Sequence, residues 1–145
     1  MPLITREEFL KKAGLLAGFA VTAACFSSCK DESPHVYTPD TDVDFKIDVS
    51  DGQYAALKFT GGYIFVDRVV VAKIGDKEYI AASKVCSDEN LEGMIYSDGE
   101  WYCTEHDATF DHQGNGTETY NNKGARGILV YQTALEGNIL HVFSN

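Results

Sequence analysis

From residue 43 onward the chain is a series of short apolar runs separated by turn residues. Val43-Asp44-Phe45-Lys46-Ile47-Asp48-Val49 switches between apolar and charged at every step. A period of two predicts a strand with one buried face. Tyr54 to Leu57 reads as a helical turn that Gly61-Gly62 ends. Tyr63 to Val66 and Val69 to Ile74 are β-branched runs joined by a short polar link at Asp67-Arg68. Gly75-Asp76 predicts a hairpin turn into Glu78 to Ala82. Gly93 to Tyr96, Trp101 to Cys103, Leu129 to Thr133 and Ile139 to Phe143 complete the strands, with turns at Asp98-Gly99 and Glu136-Gly137-Asn138. Strands spaced this closely, with little helix, predict an all-β antiparallel sandwich or barrel.

The first part of the chain has a different pattern. Arg6, Lys11 and Lys12 precede an unbroken run of 14 apolar and small residues, Ala13 to Phe26. That run has the length of a signal-peptide core and is shorter than the roughly 20 residues a membrane span needs. A buried helix would show a polar face at helical spacing, and none recurs. Phe26-Ser27-Ser28-Cys29 follows. It resembles a bacterial lipobox, which implies cleavage after residue 28 and a lipid on Cys29; Cys25 is a rival that would truncate the apolar run. Thr5 to Lys12 resembles a twin-arginine export motif with Glu7 in place of the second Arg, and Lys30-Asp31-Glu32 is similar to the surface tag of Bacteroidetes-type lipoproteins. The expected organisation is a signal peptide over 1–28, a lipid-anchored tether over 29–42, and one domain over 43–145. Pro34, Pro39 and four acidic residues between Lys30 and Asp42 give the tether too little apolar content to pack. A chain starting near Asp42 is therefore expected to fold like the mature protein.

Composition narrows the function. The formal net charge is −10, and phosphate binding needs a basic patch, so a nucleic-acid partner is excluded. The acidic balance suits a soluble, self-repelling domain or a basic partner. If Cys29 carries lipid, the domain keeps Cys86 and Cys103, in an exported compartment where disulfides persist.

The chemistry is concentrated between Cys86 and Tyr131. Cys103-Thr104-Glu105-His106 puts a thiol and an imidazole three residues apart, and Cys86-Ser87-Asp88 puts a thiol and a carboxylate two apart. Two loops, each with a sulfur and a second donor, are how a binuclear metal centre is gripped. At these residues the chain resembles the Rieske iron–sulfur family, whose pattern is Cys-x-His … Cys-x-x-His followed by Gly, a small residue, any residue, Phe or Tyr, and Asp. Here the second half reads Cys103-Thr104-Glu105-His106-Asp107-Ala108-Thr109-Phe110-Asp111. Gly75 to Val85, Gly124 to Tyr131 and Leu135 to Val142 also match family style, so the resemblance covers about Val43 to Phe143. It implies stacked antiparallel sheets with a small cluster-binding loop subdomain, and a [2Fe–2S] cluster held by Cys86, Cys103, His106 and, where the family has its first His, Asp88. Asp107 stands where the family has Gly, Ala108 where it often has a hydrogen-bonding Ser, and Arg126-Gly127 near its Pro.

Three readings stay open. Asp88 is a ligand, and the cluster is kept. Alternatively, Cys86 and Cys103 are joined as a disulfide in a cluster-free binding or structural module. Or the same four residues hold one zinc or iron ion. His112 and His141 are expected outside the metal site, and Trp101, Tyr102, Phe110 and Tyr131 in packing roles. The first reading implies an electron carrier and not an enzyme, exported and held at the cell envelope, with the membrane and a redox protein as partners.

Overall fold

The computed structural model describes residues 38–87, 90–117 and 125–145. The compact unit runs from Val36 to Asn145. Its described residues form nine strands: β1 (Asp44–Asp48), β2 (Tyr63–Val66), β3 (Val69–Gly75), β4 (Glu78–Ser83), β5 (Met94–Ser97), β6 (Glu100–Cys103), β7 (Thr109–Phe110), β8 (Val130–Glu136) and β9 (Ile139–Phe143). A 3-10 helix, Gly52–Lys58, lies between β1 and β2, with the Asp51 side chain accepting the Gln53 N–H at its start. All strand pairing is antiparallel. Six strands make one sheet in the order β1-β9-β8-β4-β3-β2, and β5-β6-β7 make a second.

The turns follow from residues that tolerate positive φ. Asp98 (53°) and Gly99 (90°) both adopt it between β5 and β6, as a two-residue hairpin turn requires. Lys77 (58°) and Gly137 (61°) do so between β3 and β4 and between β8 and β9.

The Val69–Ala72 run is buried on both faces of β3. Val69 and Val71 pack with Ile47, Leu57, Ala81, Leu140 and Val142 in one core. Val70 and Ala72 face a second core with Ala82, Cys86, Met94, Trp101, Cys103 and Phe110. The β3–β4 hairpin is thus a wall between the six-stranded sheet's own core and the core beneath the three-stranded sheet. Alanine at 72, 81 and 82 keeps that wall thin. On β5 and β6 the pleat turns Met94, Tyr96, Trp101 and Cys103 inward.

The folded part begins before the boundary expected at Val43. Arg68 Nη1 donates to Asp40 Oδ1 (3.2 Å), Arg68 Nη2 to the Thr38 carbonyl, and the Tyr131 hydroxyl to the Asp40 carbonyl (2.8 Å). Polar bonds fix this segment, which is why its low apolar content gave no sign of docking. Arg68 also donates to Glu92 Oε1 (3.0 Å), and Glu92 accepts from Lys84 (3.3 Å).

A chain that starts at Val43 is expected to fold and to be less stable than one starting at Val36 by about 1 kcal/mol. The main loss is the Tyr131 hydrogen bond, since the partly exposed Arg68–Asp40 pair adds little. Urea unfolding of the two chains checks this, and equal midpoints and slopes would show that residues 38–42 contribute nothing.

Candidate metal centre

Two loops converge under the second sheet, and they are built alike. In the first, Cys86 N–H donates to Leu91 O (2.8 Å) and Asn90 N–H to Cys86 O (2.9 Å). In the second, Cys103 N–H donates to Ala108 O (2.8 Å) and Asp107 N–H to Cys103 O (3.0 Å). The residue four places after each cysteine has positive φ, 54° at Asn90 and 61° at Asp107. Each cysteine therefore opens a closed six-residue loop with a left-handed residue at its fifth place. The first springs from the end of β4 and is closed at its base by the Val85–Glu92 bridge. The second joins β6 to β7.

The loops are held against each other at Gly93. Its carbonyl accepts from Thr104 N–H (2.9 Å) and from Thr104 Oγ1 (3.1 Å). A Cβ at Gly93 would lie 2.7 Å from Glu105 Cγ and 3.2 Å from Thr104 Oγ1, so a larger residue would force the second loop to shift. Arg126 adds a third tie, donating from Nη1 to the Ser87 carbonyl (3.2 Å).

This packing brings together Cys86, Cys103 and His106. Cys103 Sγ is 3.0 Å from His106 Nδ1, and Cys86 Sγ is 3.5 Å from His106 Nε2. The three donor atoms lie within 4.8 Å of one another. Both cysteines are fully buried, and they are thiols rather than a disulfide. His106 is half-buried. Asp88, the fourth expected ligand, lies outside the described residues, as does Cys29. His112 is elsewhere, with Nε2 3.0 Å from the Tyr96 hydroxyl and 2.9 Å from Gly99 O. His141 pairs with Asp44 at 2.8 Å. Tyr102 does more than pack, because its hydroxyl donates to the Asp107 carboxylate. That bond raises the Tyr102 pKa.

Two thiols and an imidazole in a buried pocket are donors for iron or zinc. As placed, they are within reach of a single ion. A binuclear centre would take the thiols on one metal and the imidazole on the other. The Ser87 hydroxyl, beside Cys86, is buried with no hydrogen-bond partner among the described residues, which leaves a donor available to a bound group. The residues fit the group that the sequence suggests.

The Cys103 pKa is lowered from 9.0 to about 6, first by the Cys86 side chain and then, against burial, by backbone N–H groups and the charge of His106. In the metal-free, reduced chain the folded state has released this proton over a range where the unfolded state still holds it. Stability is therefore expected to rise with pH between about 6 and 9, and to be lost as pH falls through about 6. Cys86→Ser removes the largest cause and should move the thiolate titration upward. Ultraviolet thiolate absorbance and unfolding midpoints check both, and an ordinary Cys103 titration in a folded chain would contradict them.

No family profile and no curated protein matches the chain. Solved structures do. The quaternary ammonium Rieske monooxygenase CntA in its apo form overlays with a TM-score of 0.53 at 14% identity, over 75% of this chain and 34% of that one. The same monooxygenase with its substrate L-carnitine gives 0.53 and 14%, over 75% and 33%. The ferredoxin of carbazole 1,9a-dioxygenase from Nocardioides aromaticivorans aligns at 23% identity over 73% of this chain and 100% of that one, with a TM-score of 0.48. The chain spans about a third of the monooxygenase's length. At such identity the likeness establishes architecture, and the all-β chain with paired cysteine loops has the fold of a Rieske-type domain.

Proposed function

We propose that this chain carries single electrons through a [2Fe–2S] centre, with Cys86 and Cys103 on one iron and His106 and Asp88 on the other. The observation that carries the reading is the meeting of two buried thiols and an imidazole on matched loops of a Rieske-type fold. When bound, such a centre supplies one-electron oxidation and reduction. The chain's residues set its terms. Burial of Cys86 and Cys103 keeps water from the sulfurs. His106, half-exposed, is the edge open to a partner. Asp107 adds negative charge next to His106, and Ala108 offers no side-chain hydrogen bond, so both favour the oxidised state. We read the protein as a carrier or redox subunit and not an enzyme by itself. Its partner is a redox protein at the same membrane, to which a lipid on Cys29 would hold the exported chain.

A second reading has its own support. Three donors mutually within 4.8 Å suit one zinc or iron ion. Metal and sulfide analysis of the purified protein separates the two. About two irons and two acid-labile sulfides per chain, with a brown colour, support the cluster. One zinc without sulfide supports the single ion. No metal, with Cys86 joined to Cys103, would overturn both in favour of the cluster-free module.

Two outcomes are expected from variants. Asp88→His replaces an anionic donor by a neutral one and should raise the reduction potential by on the order of 100 mV; redox titration followed by visible absorbance checks it, and an unchanged potential would remove Asp88 from the ligand set. Cys29→Ser should leave residues 1–28 uncleaved and the mature N-terminal lipid absent. Mass spectrometry of the N-terminus decides this, and a wild-type N-terminus beginning elsewhere would refute the anchor.

A further inference from the structure

The second metal loop contains a residue in an unfavourable conformation with a dedicated partner. Asp107 has φ of 61°, a region that costs a residue with a Cβ roughly 1–2 kcal/mol, less for Asp or Asn. In the first loop the same place is taken by Asn90, which tolerates that conformation well. Asp107 is exposed, so core packing does not hold it there. Among the described residues its side chain is tied instead to the Tyr102 hydroxyl.

Tyr102 is placed for this by the pleat of β6. Trp101 and Cys103 point into the core, and Tyr102 points to the opposite face. Tyr102 is paired with Ile95 on β5 and Thr109 on β7, so its backbone is fixed from both sides. From there its ring reaches past the loop to Asp107. The bond joins the residue before Cys103 to the residue after His106, and so closes the loop from outside while Cys103 and His106 meet inside.

We propose that Tyr102 and Asp107 form an outer staple that positions Cys103 and His106 for metal before metal arrives. Tyr102 is a positioning residue, since its hydroxyl acts on the loop through Asp107. The proposal concerns the same site as the proposed function, but the staple exists in the metal-free loop whatever the site holds.

The test uses the full mature chain, metal-free and reduced. Alkylation of buried Cys103 by iodoacetamide is followed by mass spectrometry of the peptide. Reaction requires the loop to open, so the rate reports how often it does. Tyr102→Phe should raise the rate about fivefold, the worth of one ordinary hydrogen bond. Asp107→Gly relieves the backbone but removes the acceptor, and should also raise it. Asp107→Asn keeps both an acceptor and tolerance of positive φ, and should restore the wild-type rate. Tyr102→Phe combined with Asp107→Gly should be no faster than the faster single variant. A wild-type rate in Tyr102→Phe, or additive effects in the double variant, would overturn the staple. An equal drop in thermal midpoint and rise in rate for all variants, Asp107→Asn included, would reduce it to general stability and overturn it too. Absence of iron and sulfide from the protein would refute the electron-transfer reading and leave this result standing.

Discussion

A metal site of this kind needs two sulfurs from separate loops in one dry place, and the double burial of β3 and β4 makes that place. Most antiparallel sheets of a small domain bury one face. Here Val70, Ala72 and Ala82 face one core while Val69, Val71 and Ala81 face the other. The first core then becomes the floor on which Met94, Trp101, Phe110 and both cysteines rest. A polar residue at 70, 72 or 82 would open that floor to water and expose the sulfurs from beneath. The site is therefore an outgrowth of the sheet's second face, and its dryness is a property of strands that carry no ligand.

Most of the strands were legible because burial imposed a period or an apolar run. β1 shows the alternation of a half-buried strand, and β3 the continuous run of a fully buried one. β7 was not legible: Thr109–Phe110 is two residues long, too short to show any period. The 3-10 helix was legible only at its centre, Tyr54 to Leu57, because Leu57 is its buried residue. The docking of the residues before Val43 left no trace for a related reason. Residues 38–42 dock through Arg68 and Tyr131, and hydrogen-bonded segments leave no hydrophobic trace.

At the site, residue types and spacing sufficed to gather Cys86, Cys103 and His106. Spacing did not reveal that the two loops share one hydrogen-bonding plan, since Cys86 to Leu91 and Cys103 to Ala108 have no common sequence beyond the first residue. The signal was Asp107, noted only as a departure from Gly. A non-glycine residue at a place that elsewhere needs positive φ implies either a conformational change or a compensating contact, and Tyr102 supplies the contact. The sequence put Tyr102 among the packing residues, and only the fold shows the carboxylate that lies within its reach.

The N-terminal segment and the first metal loop share one guanidinium. Arg68 holds Thr38 and Asp40 on one side and Glu92 on the other, and its own carbonyl accepts Lys84 N–H at 2.8 Å. Glu92 pairs with Val85 at the base of the Cys86 loop. Residues 38–40 therefore share their cation with the base of that loop. Arg68 reaches the two sides through separate nitrogens, Nε to Glu92 and the two Nη atoms to Asp40 and Thr38. One guanidinium thus fixes residues 38–40 and the base of the Cys86 loop by independent bonds.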